Sequence, residues 1–129
     1  MKRTLLLSLV VLFILSACKK KNEEVVISLK GKWTPQSIVY QDFDNSTLQY
    51  SYTETPEKTT YDFQNNGYLV ITDEYGSEMF QYKILNNSKL DLDGEIYEIK
   101  NLTAGSVVLY YRYDYSPGSY SEYSINLKR

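Results

Sequence analysis

The sequence predicts an all-β domain, an antiparallel up-and-down barrel of about eight strands. Three observations predict it. The 129-residue chain carries 14 tyrosines among many Thr, Val and Ile, residue types that suit a pleated, half-buried surface. No window sustains an apolar repeat at i, i+3, i+4 and i+7, so no amphipathic helix is expected. Short turn signals recur at near-regular spacing, and strands joined as neighbouring hairpins close into a barrel, which leaves no exposed edges.

The chain begins with a segment that is not part of the fold. Lys2 and Arg3 form a basic start, Leu5 to Leu15 are almost wholly apolar, and the small residues Ser16 and Ala17 follow, the pattern of an export signal over residues 1–17. An apolar run of about eleven residues is short of the roughly 20 that span a bilayer as a helix. Cys18, the single cysteine, comes next. The order Leu15-Ser16-Ala17-Cys18 resembles the lipobox of bacterial lipoproteins. That resemblance implies cleavage before Cys18, acylation of Cys18, and anchoring in a bacterial cell envelope. Because Lys19 is not the acidic residue that retains some such proteins at the inner membrane, the outer membrane is the expected site. Residues 18–27 then form an acylated start and a flexible, charged tether (KKKNEE over 19–24), and residues 28–129 form the barrel domain.

Within the domain the elements follow in order. A first strand starts near Trp33. Asn65-Asn66-Gly67 separates "KTTYDFQ" from "YLVITD", Glu74-Tyr75-Gly76 separates that from "EMFQYKIL", Asn86-Asn87-Ser88 precedes "KLDL", and Asp93-Gly94 precedes "EIYEIKNL". Thr103-Ala104-Gly105 and Ser116-Pro117-Gly118 close the series. Alternation assigns the faces: Val107, Leu109, Tyr111, Tyr113 and Tyr115 point one way, Val108, Tyr110, Arg112 and Asp114 the other. Tyr123, Ile125 and Leu127 share a face, as do Phe80, Tyr82 and Ile84, and Tyr61 with Phe63. An inward set that includes Tyr61, Phe63, Phe80, Tyr82, Tyr111 and Tyr113 leaves limited space inside.

Gly31-Lys32-Trp33 at the start of the first strand resembles the first signature of the lipocalins, and the chain is similar to small lipocalin-like bacterial lipoproteins. The resemblance implies that Trp33 packs across a closed end of the barrel with an arginine over it. That arginine has no clean counterpart, since Arg112 lies one strand early and Arg129 is the terminal residue. The long helix of larger lipocalins has no counterpart either.

Composition narrows the function. The chain has no histidine and a formal net charge of −2, and loss of Lys2 and Arg3 with the signal makes it more acidic, so no nucleic-acid partner is expected. With Cys18 acylated there is no thiol nucleophile, no Ser-His pair and no Cys/His zinc site; no catalytic residue, metal site or cofactor is expected. "DFDNS" (42–46) and "DLDGE" (91–95) fall short of a calcium loop, and Asp93-Gly94 reads as a hairpin turn. The pairs Asp73/Glu74 and Glu95/Glu98 have nothing to place them across a cleft. The sequons at Asn45, Asn86 and Asn101 read as turn residues.

The segment Gln41 to Glu57 reads as a long polar loop over the open end, and its Phe43, Tyr50 and Tyr52 are the candidate ligand-binding residues. Tyr75, Tyr110 and Tyr120 fall at outward or turn positions. The alternative for 41–57 is that "TLQYSYTE" is one more strand. The expected function is binding of a small apolar ligand in or at the mouth of the barrel; the alternative is an interaction module for a glycan or envelope protein with a filled interior.

Cys18 generates the first prediction. Intact mass of the membrane-extracted protein should show a chain starting at Cys18 with added acyl mass, and Cys18→Ser should release the protein from membranes. A full-length, unmodified membrane species would contradict it.

Overall fold

The computed structural model describes residues 29–129. The export signal, Cys18 and the tether lie outside the described residues. Among the described residues there are nine strands: β1 Gly31–Asp44, β2 Thr47–Glu54, β3 Thr60–Phe63, β4 Tyr68–Thr72, β5 Ser77–Asn86, β6 Lys89–Leu92, β7 Glu95–Lys100, β8 Ser106–Ser116 and β9 Ser119–Lys128. They form one sheet in the order β2-β1-β3-β4-β5-β6-β7-β8-β9, and β1 also pairs with β9. Eight strands therefore close into an antiparallel up-and-down barrel, with β2 as an extra strand.

The ninth strand corrects the reading of Gln41 to Glu57 as a loop. Residues 41–44 complete β1, and "TLQYSYTE" pairs back onto it as β2, Ile38 opposite Glu54 through Asp44 opposite Thr47. The turn between them is Asn45-Ser46, both at positive φ (49° and 60°), which is what a two-residue hairpin turn demands. A tertiary contact holds this non-glycine turn, because the Ser46 N–H donates to Gly118 O at 2.7 Å. Gly118, itself at φ 80°, packs so closely that an added Cβ would sit 3.3 Å from Asn45 Cα. The tip of the β1–β2 hairpin is thus docked on the tip of the β8–β9 hairpin.

β1 is long because it serves two partners on one edge. Gly31 to Trp33 pair with β3, Ile38 to Asp44 pair with β2, and Thr34 to Phe43 pair with β9 on the other edge. Pro35, which has no N–H to donate, sits in the gap between the β3 and β2 ladders and beside a bulge in the β9 ladder, where its missing donor costs least. β5 divides its length between its two neighbours, pairing with β4 through residues 77–81 and with β6 through 82–86.

One end of the barrel is plugged. Leu29, Trp33, Phe63, Leu69, Leu90, Val107, Leu109 and Leu127 are all buried there. The Trp33 indole N–H donates to Leu29 O at 2.8 Å, so the ring is buried with its one polar group satisfied. Arg129 places its guanidinium 4.1 Å from the Trp33 ring centroid and donates to Lys30 O. The terminal residue therefore fills the role for which the sequence offered no clean counterpart. Gly31 enters the strand at φ 103°, a conformation that disfavours any side chain and explains the glycine two residues before the tryptophan.

At the other end β8, β9, β1 and β2 outrun the barrel. β7 pairs only with Val108 to Tyr110, so Tyr111 to Ser116 stand beyond it as part of a four-stranded wall. The inward alternation of β8 is as expected, but Tyr113 is exposed (52%) because it lies on this overhang and not inside.

Trp33→Ala should cost about 3–5 kcal/mol, as for other buried aromatic truncations, a large part of the roughly 5–15 kcal/mol that holds a domain together. The check is a fall in the denaturant midpoint with the slope unchanged. A stable, native-like variant would show that the plug does not hold the barrel.

Candidate functional site

Above the plug the interior opens into a cavity of about 400 Å³, lined by Tyr61, Ile71, Phe80, Leu92, Tyr97 and Ile125, with Asp93 and Glu95 completing its lining. These residues come from β3, β4, β5, β6, β7 and β9 and from the β6–β7 turn, so the cavity spans the barrel from wall to wall. Register explains the set. Leu92 faces Glu95 and Leu90 faces Tyr97 across the β6–β7 ladder, so all four share the inner face, Leu90 in the plug and Glu95 at the lip. Glu98, three residues on from Glu95, is on the opposite face beside Tyr110. The Glu95/Glu98 pair is thereby split between inside and outside.

A row of tyrosines continues the cavity wall onto the overhang. Tyr97, Tyr111, Tyr123, Tyr40 and Tyr50, one from each of β7, β8, β9, β1 and β2, have successive ring centroids 5.1, 6.4, 4.9 and 6.1 Å apart, within the range of favourable tilted aromatic contact. The ladders put them in line: Tyr111 lies opposite Tyr123, and Tyr123 opposite Tyr40. Tyr50 is 54% and Tyr52 51% exposed, so the row passes from half-buried rings to rings in open water.

A buried hydroxyl pins this wall. Ser121 is 2% exposed and makes three hydrogen bonds: to Asp42 Oδ1 at 2.9 Å, to Tyr115 Oη at 2.6 Å and to Tyr40 Oη at 3.1 Å. A hydroxyl has one proton, and a carboxylate oxygen accepts it, so both tyrosines donate to Ser121. β1, β8 and β9 are thus tied together at one atom, which uses Ser121 for structure and leaves it no free lone pair.

Burial raises the phenols of Tyr61, Tyr82, Tyr97, Tyr111 and Tyr123 above their ordinary range, with carboxylates adding to it: Glu54 for Tyr61, Asp62 for Tyr82, and Glu95 for Tyr97, Tyr111 and Tyr123. These five phenols are therefore neutral hydrogen-bond donors at physiological pH.

Of the three residues singled out from sequence, Tyr50 and Tyr52 join the row side of β2, while Phe43 does not. Phe43 stacks on Tyr120 at 4.6 Å, whose other neighbour is the Arg112 guanidinium at 3.5 Å. That outer face is a closed set of internal contacts: Arg112 pairs with Asp114 at 2.8 Å, Tyr110 donates to Glu122 at 2.7 Å, and Lys100 lies 3.4 Å over the Tyr110 ring. Burial, then the Glu122 hydrogen bond, push the Tyr110 phenol up to about 12. Tyr40, Tyr97, Tyr111 and Tyr123 are the residues that sequence reasoning did not name as a site. Alternation put Tyr111 and Tyr123 inward, but their alignment depends on cross-strand register.

A second, somewhat larger hollow of about 480 Å³ lies outside the barrel where β5 passes from β4 to β6, walled by Asn66, Tyr68, Gln81, Lys83, Asp91 and Asp93. Its lining mixes polar side chains and turn backbone with the rings of Tyr68 and Tyr82. The acidic stretches serve their turns: Asp91 Oδ1 accepts from Gly94 N at 2.9 Å, Asp73 Oδ1 from Tyr75 N and Gly76 N, and Asp44 Oδ1 from Ser119 Oγ at 2.6 Å. Asn45 and Asn101 take positive φ, and Asn86 Oδ1 accepts from Ser88 N, as turn residues do.

No protein-family model and no curated protein matches the chain.

Ser121→Ala should leave Asp42 and two tyrosine hydroxyls without their shared partner and cost about 1–3 kcal/mol. Hydrogen exchange should localise the loss to β1 and β9 near residues 40–42 and 119–123, with the plug residues still protected. Unchanged exchange there would mean that the hydroxyl cluster does not tie the wall.

Proposed function

We propose that the chain is a lipid-anchored binding protein of the bacterial cell envelope, lipocalin-like, that holds a small ligand by its apolar part at the mouth of the barrel and performs no catalysis. The observation that carries this reading is the 400 Å³ cavity, lined mainly by aromatic and aliphatic side chains with two carboxylates, open at one end of a barrel that is plugged at the other. Its volume falls in the range of sites that take small organic ligands. Gly31, Trp33 and the Arg129 guanidinium over the indole support the lipocalin-like part of the reading.

Charge placement supports the anchor. Lys30, Lys32, Lys89, Lys100, Lys128 and Arg129 outnumber Asp62 and Glu98 at the plugged end, where β1 begins and β9 ends, whereas Asp44, Asp73, Glu74, Asp93, Glu95 and Asp114 outnumber Lys58 at the turns and strand ends of the mouth. A tether leaving from Leu29 would hold the basic end against an anionic leaflet, each basic group adding about 1 kcal/mol near such a surface, and point the mouth away from the membrane.

A second reading rests on β2, all eight of whose residues are exposed and which stands at the end of the sheet order. An unpaired edge with Tyr50 and Tyr52 on it suits an added strand or a stacked sugar.

The two separate experimentally. Nile red, a neutral apolar dye, should brighten on titration with the full chain, and Ile71→Trp, which fills the mouth, should weaken its binding by at least about tenfold. Tyr50→Ser with Tyr52→Ser should leave that affinity within about twofold. Loss of dye binding only in the tyrosine variant would overturn the cavity reading in favour of the β2 surface.

A further inference from the structure

We infer that the ligand of the mouth cavity is an organic cation: an amine or quaternary ammonium group carried on a ring or short alkyl body. The inference rests on the binding reading above and adds the charge of what is bound.

Among the described residues the cavity wall holds two charged side chains, Asp93 and Glu95, both carboxylates, and no lysine or arginine. Neither belongs to any ion pair among the described residues, where Lys58 pairs with Glu74, Lys100 with Glu98, and Arg112 with Asp114 and Glu122. Glu95 stands on the inner face, with Tyr97 Oη 3.4 Å from its Oε2. Its charge also bears on Tyr111 and Tyr123, so its field reaches along the start of the tyrosine row.

Each class of ligand meets this lining differently. An anion would face two carboxylates with no counter-charge. A neutral apolar body would fit the walls, but seating it over the lip would strip water from the carboxylates without replacing it. A cation returns that lost interaction, and it also gains from the lining rings of Tyr61, Phe80 and Tyr97, since aromatic rings build cages for ammonium groups. The apolar floor, Ile71, Leu92 and Ile125, takes the body of the same molecule.

Three probes of nearly one shape test this by titration calorimetry on the full chain: phenethyltrimethylammonium, phenethyl alcohol and hydrocinnamate. The expected result is that the cation binds at least about tenfold more tightly than the alcohol, the anion most weakly of all, and that added salt narrows the difference. Glu95→Gln and Asp93→Asn, neutral substitutes that keep the side-chain size and suit the turn, should together remove most of the cation's advantage and leave phenethyl alcohol within about twofold. Equal or better binding of the alcohol or the anion to the wild type would overturn the cationic preference and leave the cavity reading standing. An advantage that persists in the double variant would overturn the role given to these carboxylates. Failure of all three probes, and of Nile red with them, would overturn the cavity reading itself.

Discussion

The barrel exists because one strand, β1, is shared by three others. Its edge toward β3 is paired for only three residues, Gly31 to Trp33, and this short ladder is what converts an open sheet into a closed one. So few main-chain hydrogen bonds, each contributing about 1 kcal/mol net, need reinforcement from side chains. They have it: Trp33, the last residue of that ladder, is buried in the plug, bonded to Leu29 O and covered by Arg129. Leu29 precedes β1 and Arg129 follows β9, so the two ends of the domain are locked together over one indole ring. Closure and plug are a single device.

Spending the large apolar residues at that end leaves the other end to tyrosine. A phenol suits a half-wet wall because its ring buries apolar area while its hydroxyl keeps a polar partner. Tyr82 Oη donates to Gln64 O at 2.7 Å, and Tyr40 and Tyr115 donate to Ser121. The result is a gradient along the barrel axis, from leucine and tryptophan through half-buried tyrosine to the exposed rings of β2. An open cavity between acidic turns is the natural end point of that gradient, since filling it would take apolar side chains that β3, β6 and β7, only four to six residues long, do not have positions to carry.

Much of this was legible in the sequence because most turns announce themselves. Asn66-Gly67, Asp93-Gly94 and Pro117-Gly118 carry a glycine at the residue that needs positive φ, and the strands between them alternate. The β1–β2 hairpin did not announce itself for two physical reasons. Its turn uses Asn45 and Ser46, whose conformation is imposed by the contact with Gly118, and although Leu48, Tyr50 and Tyr52 alternate with polar residues along β2, all eight of its residues are exposed, so that alternation does not mark a buried side. Arg129 looked unusable over Trp33 as a terminal residue, yet β1 and β9 run antiparallel, so the end of β9 lies beside the start of β1. The tyrosine row was hidden differently: its members are far apart in sequence, and only ladder register reveals that Tyr97, Tyr111, Tyr123 and Tyr40 lie side by side.

The central claim is that the barrel is sealed at the tryptophan end and hollow at the tyrosine end. Xenon enters empty apolar cavities without needing a charge or a hydrogen bond, so methyl NMR of the full chain under xenon pressure reads that asymmetry directly. The account predicts shifts at the methyls of Ile71, Leu92 and Ile125, with Leu29, Leu69 and Leu127 unmoved. Shifts concentrated on the second group, or none in either, would contradict it.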